Sequence, residues 1–169
     1  MKNGDYSEAK DQFNEAIHLE PNNLDALTLQ AQMHEANMEL SLAQKTFQKI
    51  LEISPKDTYA LLSLGNIFLA TAHHHQSGRE ADKVKRHLDC ALNYYKTVLK
   101  HDNNNVYAAN GIGAVFAHRG FLNEARDVFS QVKETFSNSE HIWMNLAHSY
   151  LELKQFGSAY KMVIFNFNK

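Results

Sequence analysis

The sequence predicts an all-α fold, a right-handed solenoid of antiparallel helix pairs. Ala9, Ala43, Ala91, Ala125 and Ala159 recur at spacings of 34, 48, 34 and 34 residues. Each stands four residues before a large side chain: Phe13, Phe47, Tyr95, Phe129 and Val163. Pro21 and Pro55 also lie 34 apart, each closing a helical pattern that it cannot continue without an N–H. A fixed period of this length marks stacked helix–turn–helix units, none of which can bury its apolar face alone. Such stacks present surface to partners, so function is to be sought in a groove.

Composition sets limits. Apolar residues make up 44% of the 169, enough for a packed core. Seventeen Lys and Arg against nineteen Asp and Glu leave −2, which argues against a dedicated nucleic-acid or membrane surface. Cys90 is the single cysteine, so an internal disulfide is excluded and a reducing compartment is expected. No apolar run reaches the roughly 20 residues that span a bilayer. The opening MKNGDYSEAK lacks the apolar stretch of a signal peptide. An intracellular, soluble chain is expected.

The elements follow in order within one array, 1–169. Residues 1–23 read as a partial repeat, a second helix only, around Ala9 and Phe13. Residues 24–57 form a repeat with stripes Leu27, Ala31, His34 and Ala43, Phe47, Ile50, at helical spacing. Residues 58–105 form a repeat lengthened by a 14-residue insertion near 72–90, the excess of 48 over the period. Its first helix is expected near Tyr59 to Ala72 and its second from Arg79 or Glu80. Val84, Leu88, Ala91, Tyr95 and Val98 continue one stripe. Seven extra residues per helix would add about two turns, or about 10 Å, to each, making a spur tipped by Gln76–Gly78.

Residues 106–139 form the next repeat, with Ala109, Ile112, Gly113 and Phe116, then Ala125, Phe129 and Val132. Gly111 and Gly113 each cost a helix about 1 kcal/mol against alanine, so the tightest packing is expected there. They are not a dinucleotide fingerprint, because Phe116 occupies the third glycine's place and no strand precedes them. Residues 140–169 form a truncated repeat with Trp143, Leu146, Ala147 and Tyr150, then Phe156, Ala159 and Val163. Its tail MVIFNFNK stops mid-helix without the polar cap of a terminal repeat.

Few residues suggest chemistry. His73–His75 are consecutive, and neighbours on a helix point about 100° apart, so they cannot converge on one ion. His141 and His148 share a face without an intervening carboxylate and read as groove lining. Cys90 reads as a packed or half-buried thiol. Arg79, Lys83, Lys85 and Arg86 against Glu80, Asp82 and Asp89 leave the spur at +1, a solvated helix face. No Ser/His/Asp arrangement, phosphate loop or paired carboxylates occur in an enzyme-like context. A non-enzyme is expected, with no cofactor, metal, small-molecule substrate or directly bound nucleic acid.

First helices of such stacks line the inner side. The inner stripe reads Asp25, Thr28, Gln32, Glu35; Tyr59, Leu62, Asn66, Leu69; Tyr107, Asn110, Ala114, Ala117; His141, Met144, His148, Leu151. None of the sixteen is Lys or Arg, so an extended or helical segment held by apolar side chains suits it better than a free carboxylate or phosphate. Tyr59, Leu62, Asn66, Tyr107, Asn110, Met144 and His148 are the candidate partner-binding residues.

The small and aromatic residues with terminal proline resemble tetratricopeptide repeats (TPR) along the whole chain, implying an α–α superhelix. YAANGIGAVFAHRGFLNEARDVFSQV (107–132), SLGNIFLAT (63–71), KRHLDCALNYYKTVLK (85–100) and IWMNLAHSYLELKQF (142–156) further resemble the Ctr-nine family. These are the large TPR scaffold subunits of the RNA polymerase II-associated factor (Paf) complex. The resemblance implies a fragment of a nuclear scaffold acting in transcription elongation and coupled histone modification, including H2B ubiquitylation. Its implied partners are other Paf-complex subunits and RNA polymerase II. The family's pattern is lost after Lys161. The alternative, a TPR co-chaperone or other adaptor for an extended peptide, would clamp acidic tails with inner cations. Thr28, Gln32, Leu62, Asn66, Asn110 and Ala114 supply none. A glycosyltransferase-type asparagine ladder is also wanting, since Leu29, Ser63 and Gly111 precede a lone Asn145.

Overall fold

Helical spacing along the chain becomes a succession of helices among the described residues. The structure, a computed structural model, describes residues 3–74, 81–136 and 139–167, with side chains for 8–73, 81–136 and 139–164. The helices are α1 (Asn3–Leu19), α2 (Leu24–Ala36), α3 (Leu40–Ile53), α4 (Thr58–His74), α5 (Ala81–His101), α6 (Val106–His118), α7 (Leu122–Thr135), α8 (Glu140–Glu152) and α9 (Phe156–Phe167). No strand occurs among the described residues. The chain divides within α4 into two compact units, Met1–Ile67 and Phe68–Lys169.

Two kinds of turn recur, each with its own chemistry. Before α2 and α6, Asn23 and Asn105 cap the helix, their Oδ1 atoms accepting the amides of Ala26 and Ala108 at 3.0 Å. Asp57 does the same for Ala60 at 2.8 Å. Side-chain acceptors of this kind satisfy amides that the first helical turn leaves orphaned. Pro21 and Pro55 stand in the turns just before the caps Asn23 and Asp57.

The other turn lies within a helix pair. Met38, Gly120 and Lys154 adopt φ of 60°, 79° and 58°. The next residue's amide reaches back to a carbonyl five residues earlier: Glu39 to His34 at 2.9 Å, Phe121 to Phe116 at 2.9 Å, Gln155 to Tyr150 at 2.8 Å. This is the Schellman closure, and its left-handed position suits glycine. Of the three, Gly120 alone supplies one.

In the first unit, Leu27, Ala31 and His34 of α2 and Ala43, Phe47 and Ile50 of α3 are buried, as their stripes require. His34 places Nδ1 2.6 Å from the Glu39 carboxylate, so the buried imidazole is tied across the turn. Ala9 and Phe13 of α1 are only half-buried.

In the second unit each helix from α5 to α9 packs on the next, and α6 also touches α8. The sequence stripe of α6 meets a difference here. Ala109, Ile112 and Phe116 are half-buried, whereas Ala108, Gly111, Gly113 and Val115 are buried. The physical reason is that α6 is covered on two sides. Gly111 faces the Tyr95 ring of α5 and Gly113 faces the Phe129 ring of α7. Two residues apart on a helix means about 200° around its axis, so the glycines serve opposite faces. A Cβ at Gly111 would stand 2.6 Å from Tyr95 Cε1, and one at Gly113 2.6 Å from Phe129 Cε1. Fully buried rings cannot yield that space cheaply.

The inserted segment lengthens both of its helices. α4 has 17 residues where α2, α6 and α8 have 13. α5 has 21 where α3 and α7 have 14. The expected turn at Gln76–Gly78, and the second-helix start at Arg79 or Glu80, lie outside the described residues.

Three variants check these turns and contacts by urea denaturation. Gly111→Ala should destabilise by about 1–3 kcal/mol through overpacking, outweighing the roughly 1 kcal/mol that alanine gains in a helix. Gly157→Ala, with nothing within 4 Å of its Cβ position, should not destabilise. A stabilised Gly111→Ala would show that the Tyr95 ring does not need the space. Met38 is 71% exposed and loses little packing on truncation. Met38→Gly should therefore stabilise by about 0.5–1 kcal/mol, relieving the left-handed strain of an L side chain less the entropy of glycine.

Candidate functional site

The sixteen inner-stripe positions are all exposed or half-buried; none is fully buried. In the first unit Tyr59 is 44% exposed and meets the buried Phe47 edge-on, centroids 5.9 Å apart. Leu62 is half-buried and Asn66 exposed. Burial raises the Glu35 carboxyl above its ordinary value.

In the second unit the candidate residues separate. Tyr107, 64% exposed, lies against Phe136 with ring centroids 6.4 Å apart. Met144 and His148 are exposed on α8. Asn110 accepts a 3.0 Å hydrogen bond from Asn145 Nδ2, and Ser149 Oγ donates to the Asn145 carbonyl at 3.0 Å. Asn145 thus joins α6 to α8 directly, and its amide is engaged inside the fold.

Beside this bridge opens a cleft of about 610 Å³. Ala114, Ala117, Leu122 and Phe129 give it an apolar lining, and His73, His118, Asn145, His148, Ser149 and Glu152 a polar one. Of the candidate residues only His148 lines it; Asn110 is bonded to the lining residue Asn145, and Tyr107 and Met144 are not in the lining. The sequence reading missed His118 and Glu152. The available signals were spacings: Ala114 and His118 are four apart, as are His148 and Glu152, and residues so spaced share a helix face.

The histidine run resolves in part. His73 turns its ring edge-on to His118, centroids 5.2 Å apart, while the His74 and His75 side chains lie outside the described residues. Among the described residues no three His, Cys, Asp or Glu side chains are placed to hold a metal ion. Cys90 is a half-buried free thiol. Lys83, Lys85 and Arg86 are exposed, and Asp89 pairs with Arg119 on α6's C-terminal side. Among the described residues no helix is long and apolar enough to cross a membrane.

Burial, and then the neighbouring His73, lower the His118 pKa below 6.5. A histidine harder to protonate in the folded state favours folding fully above the unfolded pKa, and that favour is lost as pH falls through the lower folded value. The unfolding midpoint should therefore drop on acidification below about pH 6.5. His118→Gln should show a shallower drop in thermal unfolding followed from pH 7.5 to 5. Equal slopes would remove His118 as the cause.

The tetratricopeptide repeat family model matches residues 1–67. The sequence is 39% identical over 139 residues to the RNA polymerase-associated protein CTR9 of Caenorhabditis elegans, covering 80% of this chain and 12% of that protein. It is 37% identical over 155 residues to the CTR9 homolog of Arabidopsis thaliana, covering 88% of this chain and 14% of that one. The chain thus spans about an eighth of the length of these relatives. A crystal structure of a thermophilic TPR protein from Thermus thermophilus superposes with TM-score 0.81 at 18% identity, covering 98% of this chain and 83% of that one. The fold is a tetratricopeptide-repeat superhelix, and the sequence is similar to a fragment of CTR9 along most of its length.

Proposed function

We propose that this chain is a non-catalytic protein-interaction scaffold, a segment of the TPR subunit of the Paf complex. It acts in the nucleus, in RNA polymerase II transcription elongation and the histone modification coupled to it. The observation that carries this reading is the similarity to CTR9 proteins of worm and plant across 80% and 88% of the chain. The worm relative's name places that protein with RNA polymerase. Its partners here are other Paf-complex subunits and RNA polymerase II, with no direct contact to nucleic acid, no membrane and no small-molecule substrate.

Partner contact is assigned to exposed and half-buried inner residues: Tyr59, Leu62 and Asn66 in the first unit, and Tyr107, Asn110, Met144 and His148 in the second. Exposed tyrosine and methionine suit such a surface, because both bring large, adaptable contact area. Exposure of Tyr107 at 64% and Met144 at 41% makes them available without rearranging the core.

The test is affinity capture from nuclear extract with the tagged chain, reading the Paf subunits and polymerase by mass spectrometry. Their presence is expected, and Tyr107→Ala should reduce it by a hot-spot amount, on the order of tenfold. The same variant should unfold within about 1 kcal/mol of the parent. A loss of about 3–5 kcal/mol, the size of a buried aromatic truncation, would put Tyr107 in the core and end its role in the groove. Consistent absence of these subunits would count against the transcriptional assignment.

A further inference from the structure

The cleft of the second unit owes one wall to the insertion. First helices α2, α6 and α8 have 13 residues. α4 continues past that length to His74, and His73, in the added turn, lines the cleft. α8 contributes His148 and Glu152 to the lining, and α6 contributes Ala114 and Ala117, taken here as the floor. Small side chains on the floor leave room that a guest can fill.

The polar groups around that floor are largely committed to the protein itself. Asn145 donates to Asn110, Ser149 donates to the Asn145 carbonyl, and His73 packs edge-on against His118. Glu152 is exposed at the C-terminal end of α8. Among the described residues it is the one carboxylate in the lining, and no lysine or arginine lines the cleft. Arg119, next to His118, is paired with Asp89 and is not among the cleft's lining residues. An apolar floor beneath a single negative charge is complementary to an apolar anchor next to a cation.

We propose that this cleft receives a peptide segment of a protein partner, seating one bulky apolar side chain on Ala114 and Ala117 and a lysine or arginine against Glu152. The proposal rests on the scaffold reading and names the partner chemistry of one part of that surface. The insertion is then the element that gives this repeat a pocket, with His73 as its added wall.

The chemistry also makes the site sensitive to acid. Three imidazoles face the guest: His73 from α4, His118 from α6 and His148 from α8. Among the described residues Glu152 is the remaining titratable group in the lining, and α7 contributes only Leu122 and Phe129 besides. A proton gained by His118 would set a positive charge beside a basic guest. Burial and His73 oppose that protonation at His118, so the neutral, receptive state is the one favoured at physiological pH.

The experiment is NMR titration of the 169-residue chain with two acetylated, amidated peptides, Lys-Lys-Leu-Phe-Lys and Glu-Glu-Leu-Phe-Glu. The basic peptide should perturb Ala114, Ala117 and His118 and bind about threefold to fivefold more tightly than the acidic one, the worth of an exposed charge pair. Glu152→Gln should erase the preference, and lowering the pH from 7.5 to 5.5 should weaken the basic peptide. Ala117→Leu, filling the floor, should abolish the perturbations by both peptides, and His73→Ala should weaken both while circular dichroism confirms the helix content. Equal or tighter binding of the acidic peptide would overturn the proposed chemistry and leave the scaffold reading standing. Perturbations confined to residues outside the cleft, or none at millimolar peptide, would overturn the cleft itself. Failure of the scaffold reading shows separately, as absence of polymerase-complex subunits in the capture experiment.

Discussion

Aromatic rings seated on glycines hold the second unit together. Tyr95 of α5 and Phe129 of α7 are almost wholly buried, and each places its ring where a Cβ on α6 would otherwise stand. A ring in that position comes within dispersion contact of α6. The glycines cost α6 intrinsic helicity, roughly 2 kcal/mol for the pair. Burying two large aromatic side chains offsets that, at about 1.5–3 kcal/mol each. The position of α6 between α5 and α7 follows from this, and with it the position of everything α6 carries: Tyr107, Asn110, Ala114, Ala117 and His118. Burial also holds the Tyr95 hydroxyl well above the ordinary phenol range, as expected of a ring that works as packing.

The turns complete the logic by fixing where each helix starts and stops. Asn23, Asp57 and Asn105 recur with the spacing of the alanines, 34 and then 48 residues, and each caps its helix with the same side-chain acceptance. The insertion therefore lengthens helices without disturbing the caps that flank it. Extra residues were accommodated at the far ends of α4 and α5, away from those turns. Four added residues at the end of α4 advance the helix by about 6 Å, enough to bring His73 to the ring of His118.

Much of this was legible in the letters, and the reasons differ by element. Helix number and pairing were legible because alanine spacing reports a packing period that every repeat must obey. The α2, α3, α7 and α8 stripes were legible because each of those helices buries one main face. α6 was not, because a helix covered on two sides has no single stripe; the glycines at 111 and 113 were the better guide. The exposure of the inner stripe could be read from register alone. The cleft could not, since His73 enters it from an element of non-repeating length, and tertiary position there has no counterpart 34 residues away. Asn145 was weighed as a rung of a ladder, whereas its side chain is spent on Asn110, a pairing across 35 residues that spacing alone does not announce.

Burial is the chief electrostatic influence on the shifted groups among the described residues. The shifted groups here are Glu35 in the first unit and Tyr95 and His118 in the second, each moved chiefly by loss of water. Tyr95 is sealed in the core. His118 is moved by burial first and then by the neighbouring His73, and it lines the cleft. A surface so lined, with its amides engaged internally and its alanine floor open, gains most by accepting another chain's apolar side chain, which brings its own order and asks for little polar compensation.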